Sequence, residues 1–551
     1  MAGDGGALTL PSGGPDAVRF VRGAVLLVPL LFTAAVFAWP LGTLAVHAFG
    51  SGDAVSLTRA WEATGAWRLL GVTAAQAAGS AAAALVVAAP IVWLISTVRL
   101  PGTGLLRIVV TLPFVLPTVV VGVAFRALFD GPLGFLGASQ GWTVIIAAHT
   151  FLNVAVVVRV VSAAWQRVDP RQVAAARTLG ASRTRAFLGI VAPRLLPAAA
   201  AAFALIFLFC STSYGVIVIL GGGQARTLET EIYQQGIGYA RLPEAVALSV
   251  LQIVMVLVAL AVARLLGSAR VPQAGVMTRA RRPRGLAWIA VGAVLVWTAV
   301  WLVLPIVTLV VRSLRPGGHW GLAGYRMLTD DTYGTSATSS LWYSVTSALL
   351  ATVIAVVVGL LGAAALTRGG GIVTRAGAAL SLLPLGVSAV TLGFGYVLAL
   401  SRLPYEVAAS PLVVPCVQAL IAIPVVIGVM VPAFEQVSPR LRDAAATLGA
   451  GPLRVFVTVD LRLTARSLSA AAAFAFVMAI GEFGATTFLA RANTTTLPVL
   501  IGSLMGRPGA DNYAAAMAAS VLLVAVSAVV VATAELTAAA RGEKKTDAHA
   551  D

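Results

Sequence analysis

Few residues of this chain have the types and spacing that bond chemistry requires. The four histidines are scattered without metal-ligand spacing, and the apolar stretches hold no paired acids and no Ser–His–Asp set. Lysine occurs only at Lys544 and Lys545, so the chain lacks the lysine that a phosphate-binding loop needs after its glycines. We therefore expect no enzyme and no bound metal or cofactor. Any ATP that its work uses, with the accompanying magnesium, must therefore be bound by another polypeptide.

Polar groups inside apolar stretches are the remaining candidates. Glu482 lies in such a stretch, where a carboxylate is costly unless it faces protein or water. It is either part of a transport pathway or a structural partner of a helix terminus or an arginine, and the sequence leaves both open. Its counterpart in an internal repeat is Ser213, which Tyr214 follows. His149 and Asn153 stand one helical turn apart, facing either a pore or a neighbouring helix.

One short polar segment occurs twice, at 169–180 and at 438–449. In each copy a good helix-capping residue, Asp169 or Ser438, precedes a proline, which is favoured in the first turn of a helix. An alanine-rich run of high helix propensity follows, and a glycine ends it. Each copy is therefore predicted to form a short helix, a turn and a second helix, with its arginines exposed.

The spacing of both copies resembles the EAA motif of ABC importer permeases, in which Glu-Ala-Ala, three residues and Gly are followed nine residues later by Ile-x-Leu-Pro. The resemblance implies that each short helix is a coupling helix that docks into a cleft on one of two copies of a cytoplasmic ATPase. It also implies an extracytoplasmic solute-binding protein as a partner. The motif residues are Ala174, Ala175, Arg177, Gly180, Ile190 and Pro193 in the first copy, and Asp443, Ala444, Ala445, Gly449, Val459 and Leu461 in the second.

The two copies depart from the motif in different ways. Ala174 replaces the glutamate of the family in the first copy, whereas the second copy has Asp443. The closing Leu-Pro is Ala192-Pro193 in the first copy and Leu461-Arg462 in the second. We expect two docking sites of unequal strength, of which the second keeps an acidic contact and the first relies on shape and arginines.

Two further segments bear on the cargo. Residues 221–234, in which three glycines precede Thr-Leu-Glu-Thr-Glu-Ile-Tyr-Gln, most resemble a thiamine permease. Residues 481–486, Gly-Glu-Phe-Gly-Ala-Thr, resemble iron and molybdate or sulfate permeases as well and cannot choose among them. Fused double permeases resemble those of thiamine and ferric-iron importers, so thiamine is favoured as the cargo and ferric iron is next.

The composition indicates which class of protein contains these segments. The 551 residues are 59% hydrophobic and only 11% charged, whereas soluble domains keep roughly a quarter of their residues charged. The chain is therefore expected to be an integral membrane protein. A net charge of +17 would suggest nucleic acid as the partner of a soluble protein, but no basic stripe carries interleaved aromatics. The arginines lie between apolar spans and indicate orientation in the bilayer.

The apolar runs predict an all-α polytopic membrane protein with about twelve transmembrane helices, because each crossing needs about 20 apolar residues. Arginine-rich loops put both repeated segments and both termini on the cytoplasmic side of the plasma membrane. The predicted spans are 22–47, 69–97, 104–129, 142–164, 197–220, 243–266, 286–311, 341–366, 374–400, 410–433, 467–489 and 513–538.

These spans divide into two parallel six-helix repeats. Six spans separate the repeated segments, and an even number returns both to the same face of the membrane. The predicted organisation is a cytoplasmic tail at 1–21, a first permease domain at 22–266 with a coupling loop at 165–196, a basic linker at 267–284, a second permease domain at 285–540 with a coupling loop at 434–466, and a cytoplasmic tail at 541–551.

Two other classes of protein are weighed against this one. An ion-coupled secondary transporter with two parallel halves would fit the repeat, but it needs buried ionisable relays, which are scarce beyond Glu482. An intramembrane enzyme would need a catalytic constellation that the spans lack. We predict a permease that alternates access to a small molecule or ion as two ATPase subunits close and open.

Overall fold

The computed structural model describes residues 27–49, 54–100, 103–267, 282–329, 336–368, 387–491 and 494–547. Helices are the only regular elements within these ranges. The first half contains α1 (Leu27–Phe49), α2 (Ala54–Thr64), α3 (Ala66–Thr97), α4 (Thr103–Val115), α5 (Thr118–Phe129), α6 (Trp142–Gln166), α7 (Pro170–Thr178), α8 (Arg183–Ser211), α9 (Gly215–Leu220), α10 (Leu228–Tyr233) and α11 (Leu242–Gly267).

The second half repeats this order of helices. A constant sequence offset relates the first residues of three helices of the first half, Pro170, Gly215 and Leu228, to those of three helices of the second half, Pro439, Gly484 and Leu497. The helix Thr118–Phe129 also has the same length as Ala389–Leu400. The second half contains α12 (Ala287–Ser313), α13 (Ala323–Met327), α14 (Ala337–Arg368), α15 (Ala389–Leu400), α16 (Tyr405–Ala408), α17 (Val413–Glu435), α18 (Pro439–Thr447), α19 (Pro452–Leu461), α20 (Ala465–Ile480), α21 (Gly484–Leu489), α22 (Leu497–Gly506) and α23 (Ala510–Asp547).

The all-helical, polytopic architecture is confirmed. Among the described residues, nine helices are long and apolar enough to cross a membrane, or up to 11 if each of two bent helix pairs is one span. The count of twelve is not established. The predicted span 374–400 is described only as α15, and its residues 374–386 lie outside the described residues, as do the tail 1–21 and most of the linker 267–284.

Three spans that were predicted to be continuous are broken. The predicted span 104–129 consists of α4 and α5, which are bent by 106° at Pro117, a residue that has no N–H to continue a helix. The span 197–220 breaks between α8 and α9, and 467–489 breaks between α20 and α21. Apolar composition cannot reveal such breaks, because a broken span is as hydrophobic as a continuous one.

Two helix ends also differ from the predicted boundaries. The helix α8 begins at Arg183 and not at residue 197, so Ile190 and Pro193 of the predicted coupling loop lie within a helix. The last helix, α23, continues to Asp547, so the predicted tail 541–551 begins as helix. Both extensions contain many polar residues. Hydropathy assigns such segments to loops, although a polar backbone segment can still be helical.

The first helix of each half packs against the other half. On α1, the carbonyl oxygen of Val36 accepts a hydrogen bond from the Tyr396 hydroxyl on α15. On α12, the Trp297 indole donates to the carbonyl oxygen of Val87 on α3, at 3.0 Å. This exchange of first helices holds the two halves together outside their central contact.

Small residues allow the long helices inside each half to approach closely. In the first half α3 packs against α6 and α8, and in the second half α14 packs against α17 and α20. Without water to drive apolar association, helices in a bilayer depend on close van der Waals contact, which small side chains permit. The fully buried alanines on these two helices are Ala66, Ala77, Ala81, Ala84 and Ala88 on α3, and Ala348, Ala351, Ala355 and Ala363 on α14.

Candidate coupling surfaces and gate

The two repeated segments fold into a matching pair of short helices, as predicted. Proline begins both α7 and α18. A carboxylate oxygen of Asp169 accepts a hydrogen bond from the Arg171 N–H at 2.9 Å, whereas the Ser438 hydroxyl makes no capping bond. Gly180 and Gly449 follow with φ of +88° and +83°. Only glycine adopts this left-handed conformation without a steric penalty, so both turns require it.

Both short helices present an exposed leucine directly before the glycine. Leu179 is 88% exposed and Leu448 is 89% exposed. The two leucines thus occupy the same exposed position in both copies of the repeat. Of the predicted motif residues, those fully exposed are Ala174, Ala175, Arg177, Gly180, Pro193, Asp443, Ala444 and Gly449, and those partly buried are Ile190, Ala445, Val459 and Leu461.

Beneath the second short helix lies a buried ion pair that the first lacks. The Arg442 guanidinium donates to the Asp460 carboxylate at 2.8 Å and to the carbonyl oxygen of Phe434 at 2.8 Å. The Asp460 side chain is fully buried. The corresponding residues of the first copy are Val173 and Val191, which pack in the apolar core. The two repeated segments therefore also differ at residues outside the motif, and the difference lies beneath the short helix.

The candidate gate residues lie at the two helix breaks. Ser213 and Tyr214 fall between α8 and α9, and Glu482 falls between α20 and α21. All three are buried. The Tyr214 ring stacks on Phe483, with 5.3 Å between the ring centroids. The two breaks, one from each half, thus meet at the centre of the molecule.

The Glu482 carboxylate caps the helix that follows it. One oxygen accepts a hydrogen bond from the Ala485 N–H at 2.8 Å, and the other accepts from the Thr486 N–H at 2.9 Å. These N–H groups belong to the first turn of α21, where helices leave their donors unsatisfied and favour negative charge. Of the two interpretations left open by the sequence, the geometry corresponds to the structural partner of a helix terminus.

His149 and Asn153 make helix contacts. The two ring nitrogens of His149 face the hydroxyls of Ser213, at 2.8 Å, and Ser80, at 3.3 Å. The Asn153 amide donates to the His149 carbonyl oxygen at 2.8 Å and also faces the Cys210 sulfur at 3.5 Å. This buried network ties α3, α6 and the α8–α9 break together.

Two glutamines that sequence reasoning missed satisfy the backbone at the same break. The Gln76 amide donates to the carbonyl oxygen of Cys210 at 2.7 Å, and the Gln252 amide donates to that of Ser211 at 3.3 Å. A helix that ends inside a bilayer leaves carbonyl groups that water cannot reach, and side chains must bond them. The available signal was an uncharged amide inside an apolar span.

Five aromatic rings close the contact between the halves. Tyr233 lies 5.5 Å from Tyr214 and 5.2 Å from Phe488, measured between ring centroids, and Phe394 lies 6.3 Å from Phe488. Together with the Tyr214–Phe483 stack, these rings form a layer to which each half contributes. We call Tyr214, Tyr233, Phe394, Phe483 and Phe488 the aromatic layer. Sequence reasoning identified only Tyr214 as a gate candidate.

A cavity of about 380 Å³ reaches the aromatic layer from the end of the bundle opposite α7 and α18. Phe488 forms its floor, and its walls include Arg491 and Tyr405, which is stacked under the Arg491 guanidinium at 5.6 Å. Within the described residues, no group of three or more His, Cys, Asp or Glu side chains could hold a metal ion.

Comparison with known proteins agrees with this geometry. The family described as binding-protein-dependent transport system inner membrane component matches residues 94–272. The thiamine transport system permease protein ThiP of Brucella abortus is 26% identical over 494 residues, which cover 87% of this chain and 89% of that protein. Residues 94–272 therefore form a domain of this family, and the chain resembles a transport system permease over most of its length. The comparisons thus indicate a multi-pass inner-membrane component that works in transport.

Further relatives extend the comparison. The thiamine transport system permease protein ThiP of Escherichia coli is 27% identical over 439 residues, covering 75% of this chain and 79% of that protein. The sulfate transport system permease protein CysT of Escherichia coli is 34% identical over 142 residues, covering 24% of this chain and 51% of that protein. The thiamine permeases therefore resemble most of the permease, whereas the sulfate permease resembles a shorter part.

We predict that Arg442 and Asp460 stabilise the second short helix only as a pair. Arg442→Val removes the cation that faces a buried carboxylate and should cost about 3 kcal/mol of stability. Asp460→Val should cost less, because Arg442 can extend toward solvent. The double variant copies the valines of the first half and should unfold near the wild-type temperature. Thermal unfolding in detergent checks this order, and a double variant less stable than both single variants would contradict it.

We predict that His149 acts as a structural link. His149→Ala leaves two buried hydroxyls without their partner and creates a cavity, so it should cost about 2–4 kcal/mol. His149→Gln, which installs the residue found at the equivalent position 418, should retain most stability and transport. Thermal unfolding and solute uptake are measured together. A glutamine variant that is stable yet inactive would instead place His149 in the pathway.

Proposed function

We propose that this permease imports thiamine, delivered by an extracytoplasmic binding protein, into the cytoplasm by ATP-driven alternating access. The pair of exposed short helices, α7 and α18, supports the importer mechanism most directly. Thiamine permeases that align with most of the chain support the cargo. Two copies of a cytoplasmic ATPase would each receive one helix, with Leu179 and Leu448 entering their clefts.

The proposed transmission runs along the helices that follow the docking sites. From Gly180 the chain continues through α8, whose 29 residues extend about 40 Å at 1.5 Å per residue, to the break that holds Tyr214. From Gly449 it continues through α19 and α20, which are bent by 82°, to the break that holds Phe483. Closing of the ATPase subunits would therefore move both faces of the Tyr214–Phe483 stack.

The remaining assignments follow from the same mechanism. ATP and magnesium would be bound by the partner ATPase and not by this chain. Both termini and the two coupling loops, 165–196 and 434–466, would lie in the cytoplasm, as their arginines favour. The cavity above the aromatic layer would then open toward the binding protein. The two permease domains would span 22–266 and 285–540.

We expect the reconstituted complex to transport thiamine. Proteoliposomes containing the permease, its ATPase and the binding protein should accumulate labelled thiamine only when ATP and the binding protein are both present. Ferric iron supplied in the same way serves as the competing cargo. Uptake of iron without thiamine would reassign the cargo. Uptake driven by an ion gradient without ATP would instead identify a secondary transporter.

We expect the left-handed glycines to be essential for coupling. Gly180→Val or Gly449→Val forces a β-branched residue into a positive-φ conformation and should displace the docking turn. Transport and co-purification of the ATPase should each fall about tenfold, equivalent to about 1.4 kcal/mol. Gly451→Val is the matched control, because Gly451 lies in the same loop at φ −65° with open space around it. Full activity in both variants would contradict the coupling assignment.

A further inference from the structure

A buried carboxylate joins the two halves beside the aromatic layer. Glu229, on α10 of the first half, is fully buried. One of its oxygens accepts a hydrogen bond from the Ser388 hydroxyl at 2.6 Å, and the other accepts from the Gln252 amide at 2.8 Å. Ser388 belongs to the second half and caps α15, where its oxygen accepts from the Val390 and Thr391 N–H groups.

Other buried acids have charged or helix-terminal partners. Glu231 faces the Arg226 guanidinium at 3.9 Å, Asp460 pairs with Arg442, and Glu482 caps α21. Glu229 also lies in the first turn of a helix, α10, but its carboxylate accepts its two hydrogen bonds from neutral side chains. Burying a carboxylate in this way is costly, and two apolar residues of similar volume would hold such a contact at lower cost. A reason other than stability is therefore needed for an acid at this position.

The internal repeat shows that the fold does not require this link. In both halves a threonine-capped helix begins with a leucine N–H that donates to a hydroxyl on the long helix: Leu228 to Thr73 in the first half, and Leu497 to Ser344 in the second. When the halves are aligned in this way, Pro498 of α22 corresponds to Glu229 of α10. Pro117, which caps α5, corresponds to Ser388, which caps α15. Neither proline has a side-chain hydrogen-bonding group, so the fold is built at the equivalent positions without a carboxylate.

The surroundings of Glu229 change when the halves part. Tyr233 lies one helical turn beyond it on α10, on the same face, and packs on both Tyr214 and Phe488. Separation of the halves would remove Ser388 and Phe488 with the second half. The carboxylate would then keep Gln252 as its partner and would lie one helical turn from Tyr233.

We propose that Glu229 is the charge-recognition group of the transport pathway, and that its ligand is an organic cation with an aromatic ring. In the closed molecule Ser388 occupies the place that the cationic group takes when the halves separate. The carboxylate then supplies the opposite charge, and Tyr214 and Tyr233 supply the ring faces that attract cations. This proposal rests on the function proposed above and names the group that would select a charged cargo such as thiamine.

The test separates capture of the cargo from cycling of the transporter. In proteoliposomes with ATPase and binding protein, Glu229→Gln keeps the shape and a hydrogen-bond acceptor but removes the charge. It should retain ATP hydrolysis stimulated by the loaded binding protein within about twofold, while the amount of thiamine transported per ATP falls at least tenfold. Glu229→Asp should recover part of this ratio. An unchanged ratio in Glu229→Gln would overturn the proposal.

Ser388→Ala is the matched control, because it removes the link between the halves and keeps the charge. It should transport thiamine at close to the wild-type ratio. Equal loss in Ser388→Ala and Glu229→Gln would show that only the link matters, and it would overturn the proposal. Failure of wild type to transport thiamine, with stimulated ATP hydrolysis intact, would count against the cargo proposed above and not against an acid-lined pathway.

A measurement on the wild-type complex covers the case in which Glu229→Gln does not fold. A carboxyl-reactive hydrophobic carbodiimide should modify Glu229 in the vanadate-trapped complex and not in the resting one, as peptide mass spectrometry would show. Thiamine at increasing concentration should protect Glu229 in the trapped complex. Modification that thiamine leaves unchanged would overturn the proposal.

Discussion

The bilayer allows no unsatisfied backbone group, and this constraint governs the centre of the molecule. The helices α8 and α20 both stop inside the apolar region, and each stop creates groups that only side chains can bond. In the first half the amides of Gln76 and Gln252 bond the free carbonyl oxygens, and in the second half Glu482 bonds the free N–H groups. These polar residues make the breaks possible, and the breaks bring Tyr214 and Phe483 together.

The two halves share an architecture but not a chemistry. The Arg442–Asp460 ion pair lies beneath α18, whereas two valines lie at the equivalent positions beneath α7. Glu229 of α10 likewise corresponds to a proline of α22. The repeated order of helices thus tolerates different polar contacts at equivalent positions.

Much of the two repeated segments could be predicted from the sequence. The prolines, the alanine runs and the glycines at 180 and 449 are local signals that act within one or two turns, so they held in both copies, whereas the predicted cap formed at Asp169 and not at Ser438. The gate was less predictable. Glu482 was recognised as unusual, but its role as a cap depends on where α21 begins. Nothing in the sequence singles out Glu229 within residues 221–234, because its partner Ser388 lies far away in the chain.

The sequence by itself determined a helical, polytopic membrane protein with a repeated short helix, because hydropathy and helix propensity depend on residues that are neighbours in the chain. Only the tertiary structure decided where the apolar spans break, which rings close the contact between the halves and which acid lies there. Those features depend on contacts between distant segments, such as Tyr214 with Phe483 and Glu229 with Ser388. The packing of the two halves alone brings such residues within bonding distance.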